Sequence, residues 1–167
     1  ERAAAESADP ALAACHRRVA AACRWIPLHP ARDLFEGLQT ILLLHLASAL
    51  EGQGMSTSIG LPDRALRRFD AAAAADPQGA ADLVSAFLLG VAANSFQGRA
   101  TKTQPVTVGG ADESGADCSN ALTRAFLRAF AQTPIPDPHL FLRWHPALDA
   151  DIWAEACAML SRGRSMP

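Results

Sequence analysis

Two short runs of strand-type residues, Val106-Thr107-Val108 and the stretch His139 to Trp144, stand on either side of an amphipathic helical pattern. That order narrows the fold more than any other feature of the sequence. Parallel neighbouring strands need a long crossover, and a helix is the usual one. Such crossovers are right-handed, so Val106 to Val108 and Leu140 to Arg143 are expected to be adjacent parallel strands joined by the helix near Asn120 to Ala131. A parallel sheet is buried on both faces, which two strands cannot achieve alone. Partner strands are therefore expected in a longer parent polypeptide.

The rest of the sequence reads as helix. Asp9-Pro10 is a cap followed by proline at the first helical position, starting a helix that runs to about Arg24 with Leu12, Cys15, Val19, Cys23 and Ile26 on one face. Pro27 and Pro30 interrupt the pattern. A second helix then carries Phe35, Leu38, Ile41, Leu42, Leu46 and Ala49 at three- and four-residue intervals, until Gly52 and Gly54 end it. Met55 to Ile59 fits a brief strand or a turn. Leu66 through the alanine tract Ala71 to Ala75 favours helix on intrinsic propensity, and Asp76-Pro77 opens a longer helix to about Phe96. Leu122, Ala125, Phe126, Ala129 and Phe130 form the inner face of the crossover helix, which Pro134, Pro136 and Pro138 stop. Asp149 caps a last helix whose inner residues are Ile152, Ala156, Met159 and Leu160.

Composition excludes several partners. Half of the 167 residues are hydrophobic, 19% are charged, and the formal net charge is −2, so no broad basic field exists for nucleic acid or anionic lipid. The apolar stretches Gly37 to Leu50 and Leu83 to Gly98 fall short of the roughly 20 residues that a membrane-spanning helix needs. No leader pattern is visible, and a cytoplasmic protein is expected. Cys15 and Cys23 would lie about 12 Å apart along one helix, beyond disulfide reach. No Cys or His spacing matches a metal site, and none is expected.

The glycine-rich stretch after the first strand reads Gly109-Gly110-Ala111-Asp112-Glu113-Ser114-Gly115-Ala116-Asp117-Cys118-Ser119-Asn120-Ala121-Leu122-Thr123. It lacks both Gly-x-Gly-x-x-Gly and Gly-Lys-Ser/Thr, so a tight positive-φ turn is a better reading than a phosphate cradle. Read as a calcium loop from Asp112, it places Asp117 where glycine is required and Thr123 where glutamate is. Asp117 or Ser119 is expected to cap the helix that follows.

The same stretch resembles the Gly-Gly-x-Asp-x-x-Gly-x-Asp-x-x-Asn-x-Leu-Thr/Ser segment of glycyl radical enzymes. Gly109, Gly110, Asp112, Gly115, Asp117 and Asn120 carry the match. Other phrases follow the family's order: Asp9-Pro10, Phe35-Glu36-Gly37-Leu38-Gln39, and Glu51 to Gly60 followed by Asp63. Pro138 to His145 is similar to the family's Pro-x-x-x-x-x-Arg-x-His strand, and Gly163 to Pro167 to its Gly-x-Gly-Met-Pro turn. Two departures stand out: the family's Gly-Arg-x-Asp-Gln is here Gly60-Leu61-Pro62-Asp63-Arg64, and its Asn-Glu-Leu is Asn120-Ala121-Leu122. The chain also contains no Tyr, where the family commonly has a tyrosine-rich helix.

The resemblance implies an α-rich α/β fold: a single partial pyruvate formate-lyase-like domain over residues 1–167, part of a ten-stranded α/β barrel, mostly helical with two or three short strands. It implies a parent enzyme in which a backbone glycyl radical, installed by a radical S-adenosylmethionine activase, oxidises a cysteine to a thiyl that abstracts hydrogen from substrate. Neither radical loop is recognisable in these residues, so no catalytic residue, bound cofactor or activity is expected of the chain alone. Its role would be radical C–C cleavage or elimination on a small polar substrate, under anaerobic conditions. An activating enzyme is the implied partner, and family members commonly form dimers. Ser56 would offer a hydroxyl to substrate or serve a turn. Arg143 with His145 would meet a substrate carboxylate or form a structural ion pair. His45 reads as a satisfied core or interface histidine rather than a general base. The alternative is a non-catalytic helical binding module derived from the same scaffold. Because most of the barrel is missing, Leu38, Ile41, Leu42, Leu46, Phe87, Leu88 and Val91 are expected to leave a contiguous exposed apolar surface.

Overall fold

A computed structural model of the chain describes residues 1–51, 57–95 and 104–162. The element order is α1 (Arg2–Glu6), α2 (Pro10–Trp25), α3 (Leu34–Glu51), α4 (Pro62–Ala65), a 3-10 turn (Arg67–Phe69), α5 (Asp70–Ala75), α6 (Pro77–Ser95), β1 (Val106–Gly109), α7 (Ala121–Gln132), β2 (Leu140–Arg143) and α8 (Ala150–Ser161). β1 and β2 pair in parallel with Val106 opposite Leu140 and Gly109 opposite Arg143. The expected strand, helix, strand unit is therefore present. Gly60 adds a parallel bridge on the other edge of β1, where Ile59 N–H donates to the Pro105 carbonyl at 3.0 Å and Thr107 N–H to that of Gly60 at 2.9 Å. Of the Met55 to Ile59 segment, Met55 and Ser56 lie outside the described residues.

Local side chains set most helix starts. Asp9 accepts from Ala11 N–H at 2.8 Å, with Pro10 at the first helical position. Asp33 accepts from Glu36 N–H, Asp76 from Gly79 N–H, and Asp149 from both Asp151 and Ile152 N–H. On α7 the cap is Asn120 rather than Asp117 or Ser119: its side chain accepts from Thr123 N–H at 3.1 Å while Thr123 Oγ1 accepts from Asn120 N–H at 3.0 Å.

The core lies where α3, α6 and α7 stack against the helix-covered face of the sheet. Val84, Leu88, Val91, Val106, Val108, Leu122, Phe126 and Leu140 are its largest fully buried apolar side chains. Gly90 allows a close crossing, since a Cβ there would stand 2.9 Å from Leu42 Cδ2. This packing corrects the expected apolar patch: Leu38, Phe87, Leu88 and Val91 are buried within the chain, and Ile41 and Leu42 pack half-buried against the core. The stripes of α3 and α6 cover each other.

Two inner faces also differ from expectation. On α2 only Ala13 and Ala22 are buried, while Leu12, Cys15 and Cys23 are exposed, because the helix approaches its neighbours through small residues. On α8 Ile152, Ala156 and Met159 are buried but Leu160 is exposed at the helix end. The alanine tract is not one helix with Leu66: the 3-10 turn tucks Phe69 into the core before α5 starts.

By length and composition, α3 could cross a membrane. In this structure its amino-terminal half packs on the core through Leu34 and Leu38, with Glu36 buried and bound by Arg32 through Nε at 2.9 Å and the backbone N–H at 2.8 Å. Buried His45 meets the Gln104 side chain, as expected of a satisfied core histidine.

Candidate functional site

The carboxyl ends of β1 and β2 open onto the glycine turn, the position where parallel sheets usually present their ligands. Gly109 and Gly110 both have positive φ, at +70° and +86°, which glycine adopts without strain. The loop then folds on itself: Cys118 N–H donates to the Gly110 carbonyl at 2.9 Å and Ala111 bridges Asp117. Asp112 Oδ1 accepts from the Ser114 hydroxyl at 2.6 Å, from Ser114 N–H at 2.8 Å and from Ala116 N–H at 3.0 Å. The Ser114 hydroxyl, followed by these amides, holds the exposed Asp112 carboxyl below its ordinary range.

Beneath the turn is a fully buried carboxylate, Asp63. Its Oδ2 accepts from Gly109 N–H and from the Thr123 hydroxyl, each at 2.7 Å, and its Oδ1 from Arg64 N–H at 2.9 Å. Asn120 Nδ2 donates to the Asp63 carbonyl at 3.2 Å. Burial pushes the Asp63 carboxyl up, against the opposing pull of these donors and of the Arg64 charge. One side chain thus ties α4 to the end of β1 and the start of α7. Arg64 works from the other side. Its guanidinium donates to the Gly109 carbonyl through Nη2 at 2.9 Å and Nε at 3.2 Å, and to the Ala111 carbonyl through Nη2 at 3.0 Å. The sequence marked Asp63 only as part of a matching phrase and Arg64 only as a departure from one. Their roles depend on contacts 45 or more residues away.

Asp117 is a second junction. Its Oδ1 accepts from Ser119 N–H at 2.8 Å and contacts His145 Nε2 at 3.1 Å, while its Oδ2 accepts from Asp149 N–H at 3.0 Å. Burial works to raise the Asp117 carboxyl, but the amides of Ser119 and Asp149, the Ser119 hydroxyl and His145 together hold it below the ordinary range. The structure therefore places buried His145 on Asp117 and leaves Arg143, at the end of β2, exposed. Gly109, Gly110, Asp112, Gly115, Asp117 and Asn120 are brought together in this one turn, with Gly115 closing the Asp112 loop at φ +86°. Ser56 lies outside the described residues. Among the described residues, no group of three His, Cys, Asp or Glu is arranged to hold a metal ion.

Comparison with known proteins agrees with this architecture. The family model described as pyruvate formate lyase-like matches residues 1–167. The chain is 28% identical over 160 residues to the isethionate sulfite-lyase of Bilophila wadsworthia, covering 86% of this chain and 19% of that protein. It is equally 28% identical over 157 residues to the isethionate sulfite-lyase of Oleidesulfovibrio alaskensis, covering 85% of this chain and 19% of that protein. The chain thus spans about a fifth of the length of these relatives. The crystal structure of a glycyl radical enzyme from Archaeoglobus fulgidus superposes with a TM-score of 0.82 at 23% identity, over 96% of this chain and 22% of that one. The helix-rich parallel fold is thus shared with part of a glycyl radical enzyme. With a family model matched from residue 1 to residue 167 and that fold beneath it, the chain belongs to the pyruvate formate lyase-like family.

Proposed function

We propose that these residues form one wall of the substrate pocket in a glycyl radical lyase that cleaves a C–C bond or eliminates a group from a small polar substrate. The observation that carries this reading is the turn at Gly109 and Gly110, held by Asp63 and Arg64 at the carboxyl ends of two parallel strands. The lyase class is supported by the isethionate sulfite-lyases to which the chain is similar. In such an enzyme the glycyl radical, installed by a radical S-adenosylmethionine activase, supplies the thiyl that abstracts hydrogen from substrate. This chain's own residues do the binding work. Asp63 fixes the turn, Arg143 is exposed at the strand end, and His145, docked on Asp117, holds the segment after β2 in place. The enzyme works in the cytoplasm under anaerobic conditions, as a homodimer.

On this reading the 167 residues alone turn over no substrate, because chemistry needs a radical beside the bound molecule. Anaerobic electron paramagnetic resonance, run with an activase, tests it. A glycyl radical signal is expected from the longer polypeptide containing these residues and not from the 167-residue chain. A signal from the short chain, or none from the longer one, would overturn the proposal.

A further inference from the structure

The alternation of side chains along a strand sorts the sheet into two faces. Val106, Val108, Leu140 and Leu142 point to the helices and join the core, which turns Phe141 and Arg143 to the opposite face. Arg143 there lies over the turn: a Cβ on Gly110 would stand 3.1 Å from Arg143 Cβ and 3.2 Å from its Cδ. The same Cβ would stand 2.9 Å from Arg64 Nη2. Only glycine lets both cationic side chains close over this point. Among the described residues neither arginine forms an ion pair, and the Arg64 guanidinium donates to the uncharged carbonyls of Gly109 and Ala111. Asp63, the acid nearest to Arg64 in sequence, is buried and spends both oxygens on Gly109, Thr123 and the Arg64 amide. The side chain of Arg143 and the guanidinium of Arg64 thus approach one point over the turn, and an anion seated there would be attracted by both cations.

We propose that Arg143 and Arg64, converging over Gly110, hold the oxyanion head of a small organic ligand, with Phe141 as the wall for its carbon part. Arg143 contributes the planar fork that binds carboxylates and similar heads bidentately. Arg64 is the positioning residue: its Nε and Nη2 fix the turn while its charge adds to the field. The inference rests on the pocket-wall reading above and names the substrate class for it.

The test titrates the full 167-residue chain with methanesulfonate, with acetate and with uncharged dimethyl sulfone at fixed chloride, followed by amide nuclear magnetic resonance. Saturable shifts at Gly109, Gly110 and Arg143 are expected for at least one anion and not for the sulfone. The tighter of the two anions tells whether a tetrahedral or a planar head is preferred. Arg143→Ala should weaken binding about tenfold or more, Arg143→Lys less, and Arg17→Ala, which removes an equal charge from the exposed face of α2, not at all. Arg64→Gln should weaken binding and also shift the Gly109 and Ala111 amides before any ligand is added, with the melting transition reporting whether the variant is folded. Undiminished binding in Arg143→Ala, equal shifts with the sulfone, or no saturation by either anion would overturn the proposal. Anion binding by this chain without lyase activity in the longer polypeptide would leave this inference standing and remove the proposed function. Lyase activity without anion binding here would do the reverse.

Discussion

Replacing Asp63 with Ala and with Asn separates the worth of its hydrogen bonds from the cost of its charge. The carboxylate is fully buried and accepts from Gly109 N–H, the Thr123 hydroxyl and Arg64 N–H at 2.7, 2.7 and 2.9 Å. Truncation to Ala strands these donors and leaves a void. Each buried donor left unpaired costs about 1–3 kcal/mol, and because the three share one group the sum falls short of additive, giving a loss of about 3–5 kcal/mol. That is a large share of the roughly 5–15 kcal/mol that holds a domain together. Asn loses less. Its single oxygen replaces Oδ2, which serves Gly109 and Thr123, and only the Arg64 amide faces the new NH2 group, so about 1–2 kcal/mol is expected.

Burial raises the folded-state pKa of Asp63, and this fixes the sign of the pH effect. The group's contribution is fully present below the pKa of the unfolded chain and is lost as pH rises through the raised folded value. Asn does not titrate, so the gap between the parent chain and Asp63→Asn should be widest in acid and narrow towards neutrality. Urea unfolding at several pH values measures this. With a slope near 2 kcal/mol/M, the midpoint of Asp63→Ala should fall by about 1.5–2.5 M at unchanged slope. An Ala variant within about 0.5 kcal/mol of the parent, or an Asn variant as damaged as Ala, would refute the account.

Other outcomes follow from the same geometry. Gly115→Ala meets open space at φ +86° and should lose about 1–2 kcal/mol from backbone strain alone, whereas Gly110→Ala, at the same φ but against Arg64 and Arg143, should lose distinctly more on thermal melting. Asp117 is held below its ordinary range, so its stabilisation is present above the unfolded carboxylate pKa and lost as pH falls through the lowered folded value. Asp117→Asn should therefore lower the melting temperature at neutral pH and flatten the acid limb, and an unchanged acid limb would contradict this. Phe126 is fully buried and meets Phe87 edge-on at 6.2 Å, so Phe126→Ala should cost about 3–5 kcal/mol in urea unfolding. Since α3 and α6 cover each other, a hydrophobic dye should bind this variant more strongly than the parent chain.

Local chemistry was legible in the sequence. Asp9, Asp76 and Asp149 marked helix starts because a cap acts within three residues of itself. The parallel pairing of β1 with β2 followed from the order of elements, which handedness and crossover length restrict. What escaped depends on contacts far apart in sequence. Periodicity shows that α3 has an apolar stripe but not that α6 faces it, and it favours large residues over the alanines through which α2 makes contact. The pairing of His45 with Gln104 spans 59 residues and gives no local signal. The family resemblance located the Gly109 to Asn120 turn, yet a motif names residues without their partners. Asp63, which underlies that turn, has no sequence neighbour that announces its role.

The position of α7 bears on how the molecule opens. Seven of its residues, from Leu122 to Phe130, are buried, and it touches α4, α5, α6, α8 and β1. No neighbour can separate from the rest while keeping that helix covered, so its amides should exchange with solvent only through global opening. By contrast α2 buries just Ala13 and Ala22 and rests on α1 and α3. Hydrogen exchange should accordingly find two folding units. One is an amino-terminal helix pair that detaches at low energetic cost; the other is a slowly exchanging body centred on α7, whose last protected amides report the stability of the entire chain.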